Sequence, residues 1–307
     1  MPNIYDTIII GGGPAGLSAA LYAGRSKMNT LIIEKAKYGG QVTTTEEIEN
    51  YPGSIEGATG ESLSERMRKQ AQDFGTKFVS DEIIDVDLSG NTKVIKGKSE
   101  TYNAKTIIIA TGANPRLAGF KKEQELRARG VSYCATCDAA FFSGLNVAVI
   151  GGGDSAITEA IFLTRFAEKI YVIHRRGELR AAKYLQERAF ANPKISFIWN
   201  TVVEEAIADG ILERLKLKNR ETGETSEIDV NGCFVSVGYE PITGIFKGKL
   251  EMDTEGYIIT DEDMQTSVPG IFAAGDVRRK KLRQIITAAA DGAVAATIAE
   301  EYIANQE

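Results

Sequence analysis

Twice along the chain a run of β-branched residues breaks into three consecutive glycines and gives way to apolar residues at helical spacing. The first copy is TIIIGGGPAGLSAALYAGRSKMNTLIIEK at residues 7–35; the second is VAVIGGGDSAITEAIFLTRFAEKIYVIHRR at residues 147–176. In the first, Leu17, Ala20, Leu21 and Gly24 recur at i, i+3, i+4 and i+7, which lays one apolar face against a sheet. Ile157, Ala160 and Ile161 take the matching places in the second. Each copy closes on another apolar run, so the pattern predicts strand, turn, helix, strand, used twice. Residues 80–113 break into short strands at the turns LSGN and KGKS, and RETGET at 220–225 suggests a hairpin.

The glycines carry the chemistry. Gly11-x-Gly13-x-x-Gly16 and Gly151-x-Gly153-x-x-Ala156 each give a tight turn with a bare backbone at a helix N-terminus, where a pyrophosphate can meet amide groups and a partial positive charge. One such motif is weak evidence, but two copies in strand–turn–helix context are much stronger. The ends of the second strands then separate the two sites. Glu34 and His174 lie at the same offset from the first glycine of their own copy. An acid there accepts hydrogen bonds from adenosine hydroxyls. His174, Arg175 and Arg176, with Arg180 a turn further on, suit a 2′-phosphate and favour NADPH over NADH.

Composition narrows the class. At 307 residues, with 43% hydrophobic and 25% charged, the chain has ordinary globular texture and room for two domains of roughly 150 residues. A net charge of −6 without a dominant basic tract argues against nucleic acid and anionic membrane. The start MPNIYDTIIIGGG lacks the shape of a secretory signal, and no apolar run approaches the ~18 residues of a membrane span, so a cytoplasmic protein is expected. His174 is the only histidine, which excludes a histidine-based triad or a two-histidine metal centre.

Cys134 and Cys137 stand in GVSYCATCDAAFF with Asp138 directly behind them. A zinc site would need Cys233 and His174 as well, and both sit in apolar strand contexts. Cys233 reads as a small buried hydrophobe. A structural disulfide framework is improbable in a reducing compartment. What remains is a reversible redox disulfide or a chance pair, and Asp138 is placed to hand over a proton if the former holds.

The two glycine turns, CATCD between them, HRR followed by Arg180, GGQVTTTEEIENYPG at 39–53, IIIATGANPR at 107–116 and GIFAAGDVRRKKLRQIITAAADG near the C-terminus come in a recognisable order. Over essentially its whole length the chain resembles the low-molecular-weight, bacterial-type NADPH thioredoxin reductases, class II pyridine nucleotide-disulfide oxidoreductases. The resemblance implies an α/β fold of two Rossmann-like dinucleotide-binding domains, each a parallel sheet flanked by helices with an antiparallel β insertion. The second is inserted into the first. An FAD domain would comprise 1–113 and 241–307, and an NADPH domain carrying CATC would comprise 114–240.

The resemblance also assigns roles. FAD would rest on Gly11, Gly13, Pro14, Ala15 and Gly16, with Glu34 and Lys35 at the adenosine ribose. Gln41 and Asn50 would lie near the flavin or its side chain; Asp276 would hold the ribitol; Arg283, Gln284 and Ile285 would flank the ring; and Gly40, Ala110, Thr111, Gly112 and Gly275 would also belong to the FAD site. NADPH would rest on Gly151, Gly153, Asp154, Ser155 and Ala156, with His174, Arg175, Arg176 and Arg180 at its phosphate. Cys137 would face the flavin, Cys134 would attack the substrate disulfide and Asp138 would act as general acid. The acceptor would be thioredoxin, the assembly a homodimer, and the inserted domain would pivot on its joints to present nicotinamide and cysteines in turn. Departures from the family pattern are Ala139, Ala290, Tyr239, Ile242 and Thr158. Other readings are a flavin disulfide reductase fed by ferredoxin or serving another thioredoxin-like protein, and a non-catalytic NADPH sensor.

Overall fold

The computed structural model describes residues 4–45, 47–48 and 50–306. They divide into two compact units, one running to Asn114 and resuming at Glu240, the other spanning Pro115–Tyr239.

The first unit is built on a seven-stranded sheet. Strand Ile4–Ile10 lies at its centre, parallel to Thr30–Glu34 on one side and to Thr101–Ile109 on the other, with Lys77–Ser80 beyond Thr30–Glu34. On its other edge the long strand Thr101–Ile109 serves two further neighbours: its C-terminal half pairs in parallel with Ile271–Ala273, and its N-terminal half pairs antiparallel with Lys93–Gly97, which in turn pairs with Ile83–Asp87. Both faces of the central strand are buried, and the period of two shows in what each side chain touches. Ile9, Ile32, Ile108 and Phe272 pack against helices Pro14–Arg25 and Ile285–Ala304, whereas Ile8, Ile10, Leu31, Ile33, Ile107 and Ile109 pack with Val86, Ile95 and Tyr102 on the opposite face.

The second unit repeats the device. Its five-stranded parallel sheet runs Ile195–Ile198, Lys169–Ile173, Asn146–Ile150, Gly232–Val235, Val131–Ser132. Val147, Val149, Ile170, Val172 and Phe234 face helix Asp154–Leu163, while Ala148, Ile150, Ile173, Cys233 and Val235 face a three-stranded antiparallel sheet. That sheet is Thr201–Asp209, Ile211–Asn219 and Thr225–Asp229, its last two strands joined through the RETGET turn. Cys233 is thereby a core residue, and burial pushes its thiol well above its ordinary range.

In each unit the chain reverses its direction of strand order at the central strand. A crevice for a ligand therefore opens beyond that strand's C-terminal end, and both glycine turns sit at that point.

Candidate functional site

Cys134 and Cys137 form a disulfide, with Cα atoms 5.3 Å apart, at the single-turn helix Ala135–Asp138. The residues around them explain the placement. Ala135 and Ala139, one helical turn apart, are both buried in the core that contains Ile157 and Ala160, each methyl contributing roughly 0.8 kcal/mol. The methyl of Ala139 therefore points into packing. Phe142 closes the segment edge-on against Phe234, and Gly232 has no room for a side chain because a Cβ there would lie 2.6 Å from the Phe142 ring. Both cysteines stay half-buried at the surface of this core.

Ser132, not singled out in the sequence, organises the pair. Its hydroxyl donates to the Asp138 carboxylate at 2.6 Å and accepts the Cys134 backbone N–H at 3.1 Å. One hydroxyl thus holds the acid and the first cysteine in fixed relation. The signal available in the sequence was a hydroxyl two residues before Cys134.

The second glycine turn lies in the same unit. Gly153 caps helix Asp154–Leu163, and space above Gly153 is open. The loop bearing Arg180 is pinned to this turn, since the Arg180 and Ala181 N–H groups both donate to the Gly152 carbonyl, at 2.8 and 3.2 Å, and Ala182 N–H donates to Asp154 at 2.7 Å. Arg175, Arg176 and Arg180 are exposed, as is Ser155. His174 is different: it is 5% exposed and packed under Gly152, where any Cβ would overlap its ring. Burial first, then Arg180, depresses its pKa, so it is neutral at pH 7 and the positive charge beside this turn belongs to the three arginines.

The first glycine turn shows why its motif is spelled as it is. Gly11 has φ 109°, and a Cβ there would overlap the Ala110 carbonyl; one on Gly16 would overlap the Gly11 carbonyl. Pro14 occupies the first turn of the following helix, where its missing N–H costs nothing. Glu34 accepts from Gly12 N–H at 2.7 Å and Ala36 N–H at 2.9 Å, which fixes its carboxylate beside the turn, while Lys35 is exposed. Gly40 approaches Gly13, and Gln41 hydrogen-bonds the Ala113 carbonyl. Thr111 donates to Ile242 O at 2.7 Å and Gly112 accepts from Ile242 N–H at 2.9 Å.

The C-terminal residues of this unit meet the same crevice. Gly275 and Ala15 are in contact range, and Gly292 lets helix Ile285–Ala304 press onto the Ala15 carbonyl. Asp291, 8% exposed, accepts from Gly275 N–H at 3.0 Å and from Lys280 at 2.7 Å, with Arg278 at 3.4 Å. This buried ionic cluster fixes the loop that carries Asp276; a lone carboxylate in the apolar run ITAAADGAV was its signal. Asn50 donates to Gln284 at 3.1 Å, Gln284 caps the final helix, and Ile285 begins it. Arg283 lies 4.2 Å over the Tyr257 ring. Ala290 is exposed and its methyl meets solvent.

Several buried polar atoms among the described residues lack a protein partner. They include Asp276 Oδ1 and Arg283 Nε in the first unit, and His174 Nε2 and Glu159 Oε2 in the second. Burial raises the Asp276 pKa, opposed by Lys280 and Arg283. Such groups normally meet a partner. A dinucleotide fits the donor set of both crevices: bare helix N-termini for pyrophosphate, then hydroxyl acceptors in one unit and guanidinium groups in the other.

The chain matches the pyridine nucleotide-disulphide oxidoreductase family over residues 5–292. A thioredoxin reductase of Peptoclostridium acidaminophilum is 57% identical, the alignment covering 99% of this chain and 98% of that protein. One from Listeria monocytogenes is 48% identical, with 98% and 94% covered. Among solved structures, thioredoxin reductase from Streptococcus pyogenes superposes with a TM-score of 0.95 at 46% identity, covering 99% of this chain and 100% of the other.

Proposed function

The chain belongs to the pyridine nucleotide-disulphide oxidoreductase family, and on that footing we propose that it moves electrons from NADPH through FAD and the Cys134–Cys137 disulfide to the disulfide of thioredoxin. The observation that carries the reading is the disulfide itself, set on a single helical turn with an acid held beside it by Ser132.

Bound FAD supplies a group that takes hydride from NADPH and returns two electrons to a disulfide. The remaining steps belong to the chain. The Gly11–Gly16 turn, Glu34, Asp276 and the Arg283–Ile285 segment hold the flavin nucleotide. The Gly151–Ala156 turn orients NADPH, and Arg175, Arg176 and Arg180 take its extra phosphate. In the dithiol form the Cys134 thiolate attacks one sulfur of the substrate disulfide. A mixed disulfide forms, and the other substrate sulfur leaves and takes up a proton. Cys137 then attacks Cys134 Sγ, which re-forms the Cys134–Cys137 disulfide and releases the second substrate sulfur. Asp138 holds and delivers the proton required in this exchange, its carboxylate kept in place by Ser132.

No helix among the described residues is long and apolar enough to cross a membrane. We extend the reading to a homodimer working in the cytoplasm, on the resemblance to the family.

The test is NADPH oxidation by the FAD-loaded protein with oxidised thioredoxin, beside NADH and a Cys137→Ser control. Turnover with NADPH that the substitution abolishes is expected. Flavin bleaching without thioredoxin reduction would move the acceptor elsewhere, and turnover surviving Cys137→Ser would overturn the mechanism.

A further inference from the structure

Tyr133, the residue from which Cys134 follows, is held at both ends. Its buried ring places the hydroxyl to donate to Glu123 Oε1 at 2.8 Å and to accept from the Gln124 side-chain amide at 2.9 Å. Glu123 is itself 3% exposed and fixed by the N–H groups of Ala118 at 2.9 Å and Gly119 at 2.7 Å. The Arg127 guanidinium lies 5.3 Å from the ring centroid. At the other end, the Tyr133 carbonyl accepts from the Tyr239 hydroxyl at 2.7 Å. Tyr239 opens strand Tyr239–Pro241, far from Tyr133 in the chain but within the same unit.

The position of this bond relative to the cysteines gives it a consequence. When the disulfide is reduced, the peptide before Cys134 can gain rotational freedom, and every part of that freedom must be lost again before the two sulfurs can meet. A carbonyl held from outside the loop withholds that freedom in the dithiol as well. The local concentration of one sulfur about the other then stays high. We propose that Tyr239 is a positioning residue of the redox pair, its hydroxyl keeping the Cys134 backbone in the disulfide-competent place after reduction and so favouring closure. The proposal rests on the reading of Cys134–Cys137 as a reversible pair.

Closure converts two thiols into one disulfide, and oxidised glutathione takes the two electrons and two protons and becomes two thiols. The experiment equilibrates the FAD-loaded protein anaerobically in glutathione buffers without NADPH and traps the free thiols. Tyr239→Phe, which keeps the ring and removes the donor, is expected to lower the closure constant about fivefold, the lower end of what ordering one residue's backbone costs. That is a rise of about 20 mV in potential. An unchanged closure constant would overturn the proposal.

A second measurement needs no variant. In the unmodified protein the Cys134 amide, which shares its peptide with the Tyr133 carbonyl and donates to Ser132, should be equally protected from hydrogen exchange in oxidised and reduced forms. Loss of protection on reduction would show that the tether does not survive it, and would also overturn the proposal. Neither measurement uses NADPH turnover or thioredoxin, so failure of the functional reading above would be seen separately.

Discussion

The two glycine turns are built alike but finished differently. Gly13 and Gly153 each cap a helix that packs on a parallel sheet, and space is open above both. At the end of the following strand, however, Glu34 folds its carboxylate back onto two N–H groups, whereas His174 is buried and neutral beneath Gly152, leaving charge to Arg175, Arg176 and Arg180. The backbone of such a turn recognises what all dinucleotides share. A few side chains at the strand end decide which dinucleotide is held.

The largest expected effect breaks that contrast on the basic side. Replacing Arg175, Arg176 and Arg180 together with Ala should lower kcat/KM for NADPH about 1,000-fold, on the footing of roughly 1.5 kcal/mol for each charge-assisted contact. NADH, which lacks the phosphate, should be affected little. Steady-state kinetics with both nucleotides gives the ratio directly. Equal losses for the two would show that the arginines do not read the phosphate.

A smaller effect tests the turns themselves. Ala156 in the second turn stands where the first has Gly16, and a Cβ on Gly16 would overlap the Gly11 carbonyl, backbone that cannot step aside cheaply. Gly16→Ala should therefore cost about 3 kcal/mol and weaken FAD retention. Ala156→Gly should cost about 2 kcal/mol, the helix propensity difference plus a buried methyl, and leave FAD retention unchanged. Thermal unfolding of the two variants, with released FAD followed by fluorescence, compares them. Similar losses would mean that the two turns have the same steric tolerance.

The parts of this design legible in the sequence are those where residue type and local geometry are bound together. Three glycines between a β-branched run and a helical spacing allow few structures, and Cys134, Cys137 and Asp138 are adjacent enough to announce one another. The RETGET hairpin is legible for the same reason. What was not legible depends on contacts made across the fold. Ser132 reads as one more strand residue until the chain turns Asp138 back onto it. The hydroxyl of Tyr239 meets Tyr133 only because the fold brings together two segments far apart in the chain. His174 carries the register of a phosphate ligand in the sequence, but the depth at which it lies was set by how closely Gly152 passes over it.

The smallest effect concerns a place where the turns part company out of sight. Glu159 occupies the position in the second helix that Ala19 occupies in the first, and Ala19 is fully buried. Burial lifts the Glu159 carboxyl from 4.5 to about 7, a hydrogen bond with Ser236 offsetting part of the rise. The folded chain therefore keeps a proton that the unfolded chain releases, and stability falls as pH climbs from the unfolded value toward about 7. Between pH 5 and 7 the loss attributable to this one group should be about 2 kcal/mol. Glu159→Gln, which cannot ionise, should remove that slope, so that parent and variant unfold alike near pH 5 and the variant is the more stable at pH 7.5. Denaturant midpoints across this range check it. Parallel curves would place Glu159 in contact with water or with a cation, and its carboxylate would then be ionised at neutral pH beside the nucleotide turn.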